Sequence, residues 1–405
     1  MVENRRICCD LRINSRPVQK FKGKKIYVST GDSEDMGNGE LVDFYQRPSR
    51  ANVEPRVDDV IFAKMSNTDK TFLINEELKQ NIYSTGFFDV SSSRIYPRFL
   101  YYLIKSDEFD SYKNAYSEGT TQVSISDKRL KKIRVTYETD REKQKLIADF
   151  LDDKVSKIDS LIFNLQQQIL DLVNLIQSHI NNVFKSPNMK KISNQFFNEI
   201  PSDFHYMKIN QLIPKIKDGT HGSFGRVNDG YMLLSAKNVF DGELIYSDDE
   251  SMISYKDYKE IVSNGFPRKN DVLFTTVGTI GRSAVYEENE PIAFQRSVLF
   301  VRPPKNIDPY YLSYFFRSDY FKMQYKNYIK QSAQAGLYGE DFKKCYVIYP
   351  DMEKQKKIVG SLNSSCSELQ KLINLKQQRV DELKNYKKSL IYEYVSGERE
   401  VTIWV

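Results

Sequence analysis

Cysteine and histidine are scarce. The four cysteines (Cys8, Cys9, Cys345, Cys366) form no C-x-x-C pair and no disulfide framework, a usage that suits a reducing compartment. The three histidines (His179, His205, His221) are scattered and no H-E-x-x-H occurs, so no zinc-site spacing is present and no metal is expected. His179 falls on a helical apolar face and is expected to edge a core. No G-x-x-x-x-G-K-[ST] loop, no glycine fingerprint after a strand and no G-x-S-x-G elbow is found. The stretch GDSEDMGNGE at 31–40 is acidic and would repel a pyrophosphate. Long apolar runs are missing too. Nothing approaches the roughly 18 residues of a membrane span, and the start MVENRRICCDLRINS has no signal-peptide core. The expectation is a soluble cytoplasmic chain with no membrane partner and no catalytic residues of its own.

What is present is enough for real cores. Of 405 residues, 40% are hydrophobic and 13% aromatic, which permits two or three domains and argues against disorder. The net charge of +6 permits a polyanionic partner without demanding one. AT-rich coding would yield the same excess of Lys, Ile, Asn, Tyr and Phe.

The tetrapeptide EKQK occurs at 142–145 and again at 353–356. The match extends backwards at an offset of 212. EPRVDDVIF (54–62) faces FPRKNDVLF (266–274), and IYPRFLYYLIKSDEF (95–109) faces IDPYYLSYFFRSDYF (307–321). Phe88 meets Phe300, Lys131 meets Lys343 and Tyr137 meets Tyr349, after which the offset becomes 211. The chain is a divergent tandem duplication with units far longer than solenoid repeats. Residues 187–210 have no counterpart before Met1 at constant offset.

Each unit ends in a long helix. After the first EKQK, apolar residues fall at Leu151, Val155, Ile158, Ile162, Leu165, Ile169, Leu172 and Ile176, alternating steps of four and three. This is a heptad seam. The second seam runs Leu362, Cys366, Leu369, Ile373, Lys376, Val380, Leu383, Lys387, with the lysines expected to reach outward beside Leu375 and Tyr386. Thr139 with Glu142 offers a capping box and Asp351 a second cap, while Ser186-Pro187 and Gly397 supply stops. Each helix should run about 40–45 residues, roughly 60–70 Å. Two equivalent seams related by a pseudo-twofold should pack as an antiparallel coiled coil. The fold class is therefore α+β, with two homologous globular parts of mixed helix and short strand, separated by two long helices. The boundaries read 1–138, 139–186, 187–349 and 350–405.

Reading DNA bases needs Arg, Lys, Asn, Gln, Ser and Thr on exposed loops. Such loops recur beside the matched strands. KFKGKK (20–25), YQRPSRAN (45–52) and KMSNTDKT (64–71) carry Lys22, Lys24, Arg47, Arg50, Lys64 and Thr68. KIKDGTHGSFGR (215–226), SAKN (235–238), TTVGTIGRS (275–283) and FQRS (294–297) carry Lys217, Thr220, His221, Arg226, Lys237, Asn238, Thr276, Thr279, Arg282, Gln295 and Arg296. Lys64 and Thr276 are equivalent by the offset, as are Thr68 and Ile280, so loop chemistry has diverged where the framework has not.

A globular part, then REKQKLIADFLD (141–152), then the same order closing on MEKQKKIVGSLN (352–363), resembles the specificity subunits of type I restriction-modification systems. KNDVLFTTVGTIGRSAVY and GTTQVSISDKRLKKIRV resemble that family's target-recognition domains. The resemblance covers essentially the whole chain. It implies a non-catalytic subunit whose two target-recognition domains read the halves of an asymmetric, interrupted double-stranded DNA site. It also implies two methylation subunits carrying S-adenosylmethionine chemistry on adenine N6, restriction subunits using ATP and Mg²⁺, and a bacterial or archaeal cytoplasmic setting. The first EKQ motif departs in lacking the proline that precedes the second as Pro350. The heptads alone would equally suit a coiled-coil scaffold whose globular parts bind proteins.

Overall fold

The structure is a computed structural model describing residues 1–31, 39–68, 70–119, 123–329 and 336–401. Most of the acidic stretch after Gly31 lies outside the described residues. The chain divides into two compact units, Met1–Gln167 with Lys376–Val405, and Gln168–Leu375.

In the first unit the strands are β1 (Val2–Arg6), β2 (Arg12–Ile13), β3 (Lys24–Val28), β4 (Glu40–Asp43), β5 (Ala51–Val53), β6 (Val60–Ala63), β7 (Thr71–Leu73), β8 (Ile82–Ser84), β9 (Phe87–Ser91) and β10 (Arg134–Glu138). The helices are α1 (Pro97–Lys105), α2 (Asp107–Ala115), α3 (Asp127–Leu130) and the start of α4 (Arg141–Asn182). One sheet has the order β2-β9-β6-β7, a second β4-β3-β8-β5, and β1 pairs with β10. The apolar runs VIFA and IYS are buried at every position, as strands covered on both faces require. Phe62 of β6 meets Phe109 of α2 edge-on at 5.4 Å.

The second unit contains β11 (Met189–Lys191), β12 (Glu199–Pro201), β13 (His205–Lys208), α5 (Ile209–Leu212), β14 (Lys215–Asp218), β15 (Tyr231–Leu234), β16 (Met252–Ile253), α6 (Tyr255–Ser263), β17 (Val272–Thr275), β18 (Ser283–Val285), β19 (Ala293–Phe294), β20 (Val298–Arg302), α7 (Pro309–Arg317), α8 (Asp319–Lys326), α9 (Gly339–Phe342), β21 (Tyr346–Tyr349) and the start of α10 (Met352–Val395). Its sheets repeat the plan: β14-β20-β17-β18, β16-β15-β19 and β13-β21. Both units also place one parallel pair, β3 with β8 and β15 with β19, among antiparallel neighbours. The α1–α2 and α7–α8 corners share one device. Ser106 accepts from Phe109 N and Ser318 accepts from Phe321 N, so each second helix is capped by the serine of a Ser-Asp pair.

Strand register corrects two sequence alignments. Phe62 lies opposite Phe88, and its equivalent Phe274 lies opposite Leu299. The counterpart of Phe88 is therefore Leu299 rather than Phe300, Asp89 corresponds to Phe300, and Ser91 to Arg302. The second correction concerns the lead-in. Glu3 lies opposite Tyr137 as His205 lies opposite Tyr349, so β13 has a counterpart in β1. A changing loop length hid this from a constant offset.

The matched aspartates are structural. Asp59 and Asp271 accept from the backbone N–H groups of Arg56 at 2.6 Å and Arg268 at 2.8 Å. The preceding residues, Asp58 and Asn270, both have positive φ, 69° and 71°. The two units neutralise this buried carboxylate differently. Arg302 of β20 holds Asp271 with two 2.7 Å bonds, whereas Asp59 takes Arg16 from the β2–β3 connection. Arg16 also contacts Asp89 at 3.1 Å, and Asn14 donates to Asp89 at 2.9 Å.

Helix α4 begins one residue later than the capping-box reading. Asp140 accepts from Glu142 N at 2.9 Å and Lys143 N at 3.1 Å, while the Thr139 hydroxyl turns away to Met1 O. Asp351 accepts from Lys354 N at 2.8 Å. Helix α4 ends at Asn182, before Ser186-Pro187, in a turn closed by Phe184 N to Asn181 O. Gly397 follows α10 with φ of 77°, the left-handed stop that glycine provides.

In the first unit, Phe150 of α4 packs on Tyr394 of α10 at 4.5 Å and Asp159 pairs with Lys387 at 2.7 Å, so the helices run antiparallel there. Leu151, Ile158 and Ile162 are buried, as is Val380, and Val155, Leu165 and Leu383 are half-buried. In the second unit Ile176, Ile180 and Val183 pack with Ile358, Leu362 and Cys366. Ile169, Leu172, Leu369 and Ile373 are half-buried there. The lysines do not leave the seam: Lys376 and Lys387 are half-buried while Leu375 and Tyr386 are exposed, because the register fixed by the apolar majority carries them inward. No helix among the described residues is long and apolar enough to cross a membrane.

Candidate nucleic-acid interface

Loops of both units meet where β6, β8 and β9, or β17, β19 and β20, hand over to their turns; the Lys22 and Lys24 loop does not join them, because β3 runs parallel to β8 and begins at its far end. In the first unit Lys64 follows β6. Its N–H donates to Gly86 O at 2.9 Å and its carbonyl accepts from Ile125 N at 2.9 Å. Its ammonium rests 4.5 Å from the centre of the Phe88 ring. Thr85 N donates to Arg50 O at 2.8 Å, which brings the exposed Arg50 loop beside the β8–β9 turn. Lys22 and Lys24 are exposed at the start of β3.

Two first-unit candidates are built into the scaffold. Arg47 donates to Phe44 O and to Ala51 O at 3.0 Å, with its guanidinium 4.1 Å over the Phe44 ring, so it clips its own loop. Thr68 is half-buried and lends its carbonyl to Lys113 Nζ.

In the second unit Thr276 N donates to Ser297 O and Thr276 O accepts from Leu337 N, both at 2.9 Å. Arg296 N donates to Thr220 O at 2.9 Å and Thr220 N to Phe294 O at 2.7 Å. The loops are pressed together at Gly219, where a Cβ would lie 2.2 Å from Gln295 O, so only glycine fits. Lys217, Thr220 and His221 line a cleft of about 500 Å³ with Lys343 and the acidic Asp218 and Glu260. His221 Nε2 lies 3.4 Å from Asp218 Oδ2. His221, Thr276 and Arg296 share a second, smaller cleft with Tyr338. Arg226 and Thr279 are exposed and Gln295 is half-buried.

The remaining candidates serve the fold. Asn238 is buried. It accepts from Ser235 N at 3.0 Å and donates to Ile245 O at 3.0 Å and to Glu250 Oε1. Glu250 also pairs with Lys237 at 3.0 Å. Burial of Glu250 opposes ionisation, but the Lys237 ammonium and the Ser247 hydroxyl and N–H hold its carboxyl below the usual range. Thr276 is buried, with its hydroxyl 3.4 Å from Arg296 O. Arg282 stacks 4.4 Å over Phe240.

Sequence reasoning passed over Thr85, which takes its place beside Lys64 only once the β9 register is known. It also passed over Tyr45, 76% exposed, with Lys20 Nζ 5.3 Å from its ring. An aromatic next to several cations was the available signal. No group of three or more His, Cys, Asp or Glu that could hold a metal ion occurs among the described residues.

A family model described as "Type I restriction modification DNA specificity domain" matches residues 9–171 and again 201–385. The chain is 25% identical over 331 residues to the type I restriction enzyme EcoBI specificity subunit of Escherichia coli, covering 76% of this chain and 67% of that one. It is 23% identical over 318 residues to the MjaVIII specificity subunit of Methanocaldococcus jannaschii, covering 75% and 70%. A solved chain from work on "complex assembly and conformational transition of the type I R-M system" shares the fold, with a TM-score of 0.62 at 17% identity over 95% of this chain and 97% of that one.

Proposed function

Because the chain belongs to the type I restriction-modification DNA specificity family and carries its domain twice, we propose that it is a specificity subunit whose two units each read one half of an interrupted, asymmetric double-stranded DNA site. The observation that carries this reading is one backbone framework, at Lys64 and at Thr276, that brings different residues to its edge in the two units, Arg50 and Thr85 in the first and Thr220 and Arg296 in the second. A frame shared by the two units fixes position on the duplex, and the side chains that differ at its edge supply base contacts.

The chain's part is recognition and placement. The long helices hold exposed apolar side chains away from their seam, Leu161 and Phe163 in the first unit and Leu372 and Leu375 in the second. These suit docking of two methylation subunits. Adenine N6 methylation with S-adenosylmethionine, and cleavage with ATP and Mg²⁺, would be supplied by methylation and restriction partners. The reading places the complex on cytoplasmic DNA.

Methylome sequencing tests the proposal. Cells with this chain and its partners should carry one bipartite adenine-methylation motif that vanishes when the chain is deleted. Replacing residues 187–349 with another recognition unit should change one half-site only. A change in both half-sites would defeat the modular reading.

A further inference from the structure

Three positions around the strand-end framework show a reversal of chemistry between the units. Lys64 and Thr276 are equivalent, since each donates its N–H to the β8–β9 or β19–β20 turn and accepts from the segment at 125 or 337. Thr85 and Arg296 are equivalent, each one residue before the carbonyl that receives that bond. Their own N–H groups are taken by Arg50 O and Thr220 O. The first unit thus sets Lys64 and Arg50 around Thr85, and the second sets Thr276 and Thr220 around Arg296. Cation and hydroxyl are exchanged at every position. Arg50 and Thr220 arrive on connections of different origin, one between β4 and β5 and the other after β14, so simple inheritance from a common unit does not explain the arrangement.

We propose that this trio sets specificity in each unit, and that in the second unit Arg296 reads a guanine. This inference rests on the specificity reading above and assigns it to one residue. The backbone of Arg296 is pinned on both sides, by Thr220 O at its N–H and by the Thr276 hydroxyl at its carbonyl. Its guanidinium is exposed and makes no hydrogen bond or ion pair among the described residues. A charged planar fork on a fixed stem is what bidentate recognition of guanine O6 and N7 in the major groove requires. Thr276 is buried and supports the stem instead of reading. The first unit has no arginine at the equivalent of position 296, so its half-site is read by a different set. Its cations flank a hydroxyl, and the Lys64 ammonium is held near the Phe88 ring.

The test uses the chain assembled with its methylation subunits. Binding to a randomised DNA pool, and the methylome in cells, would be compared for wild type, Arg296→Ala and Arg296→Lys. Arg296→Ala should lower discrimination at one base pair of one half-site by about ten- to a hundredfold and leave the other half-site unchanged. Arg296→Lys should keep overall affinity but lose most of the guanine preference, because an ammonium lacks the fork. An unchanged motif with uniformly weaker, less salt-dependent binding would assign Arg296 to a phosphate and overturn the proposal. An unchanged motif with unchanged binding would also overturn it. Absence of any sequence preference in the wild-type complex would instead defeat the specificity reading itself. Loss of the folded state is separated out by urea unfolding of each variant, and Arg296→Lys preserves the charge and stem if Arg296→Ala alone is affected.

Discussion

The side-chain oxygen of Gln355 accepts a hydrogen bond from the backbone N–H of Asp308 at 2.8 Å. Its amide nitrogen donates to Pro350 O at 2.8 Å and Asn306 O at 3.0 Å. Gln144 does the same work in the first unit, accepting from Tyr96 N at 2.8 Å and donating to Glu138 O at 2.7 Å. Both are buried, Gln355 at 0% and Gln144 at 1% exposure. The third letter of each EKQK is thus a clip that ties the first turn of a long helix to the residue before α1 or α7. Replacing Gln355 by Ala should orphan one N–H and two carbonyls and cost about 2–4 kcal/mol. The check is the urea midpoint of the variant, and a change below about 0.5 kcal/mol would contradict the role.

Asp271 is buried and depends on Arg302, whose β20 position corresponds to Ser91 of β9. Arg302→Ser copies the first unit without bringing the compensating Arg16. It should destabilise the protein by about 3–5 kcal/mol, since one buried carboxylate is left without its cation. Asp271→Asn added to it should recover part of the loss, and a double-mutant cycle in urea measures the coupling.

Burial pushes the Asp89 carboxyl up to about 6, with repulsion from Asp59 adding to it and Asn14 and Arg16 opposing. Its ordinary value is 3.8. A carboxyl raised in the folded state contributes stability that is fully present below the ordinary value and is lost as pH rises through the folded one. The stability difference between wild type and Asp89→Asn should therefore shift in favour of wild type as pH falls from about 7 to about 5. Asp10, Glu54 and Glu138 are held below the usual carboxylate range, so their losses come at lower pH. Urea midpoints of both proteins across this window would show the trend, and a difference independent of pH would refute it.

Lys387 occupies a seam position and pairs with Asp159, which is half in water. Such a pair is worth about 0–1 kcal/mol. Lys387→Leu should stabilise the first unit by about 0.5–1.5 kcal/mol, because a buried leucine contributes more than the pair it replaces. Thermal unfolding of the two proteins decides the sign.

The duplication, the two long helices and their seams were legible in the amino-acid order, because heptad spacing and tandem similarity are local or periodic signals. So was the set of polar loops. The arrangement within those loops was not. Asn238 and Thr276 look like surface readers in SAKN and TTVG, yet Glu250 and Ile245 enclose the first and Arg296 O takes the second. Arg50 meets Thr85, and Thr220 meets Arg296, through backbone bonds between segments that no constant offset aligns. Sequence by itself determined that one kind of unit occurs twice, each joined to a helix with a single apolar face. Tertiary structure alone decided which cations remain free at the edge of that unit, because a side chain's freedom depends on partners brought in from distant strands.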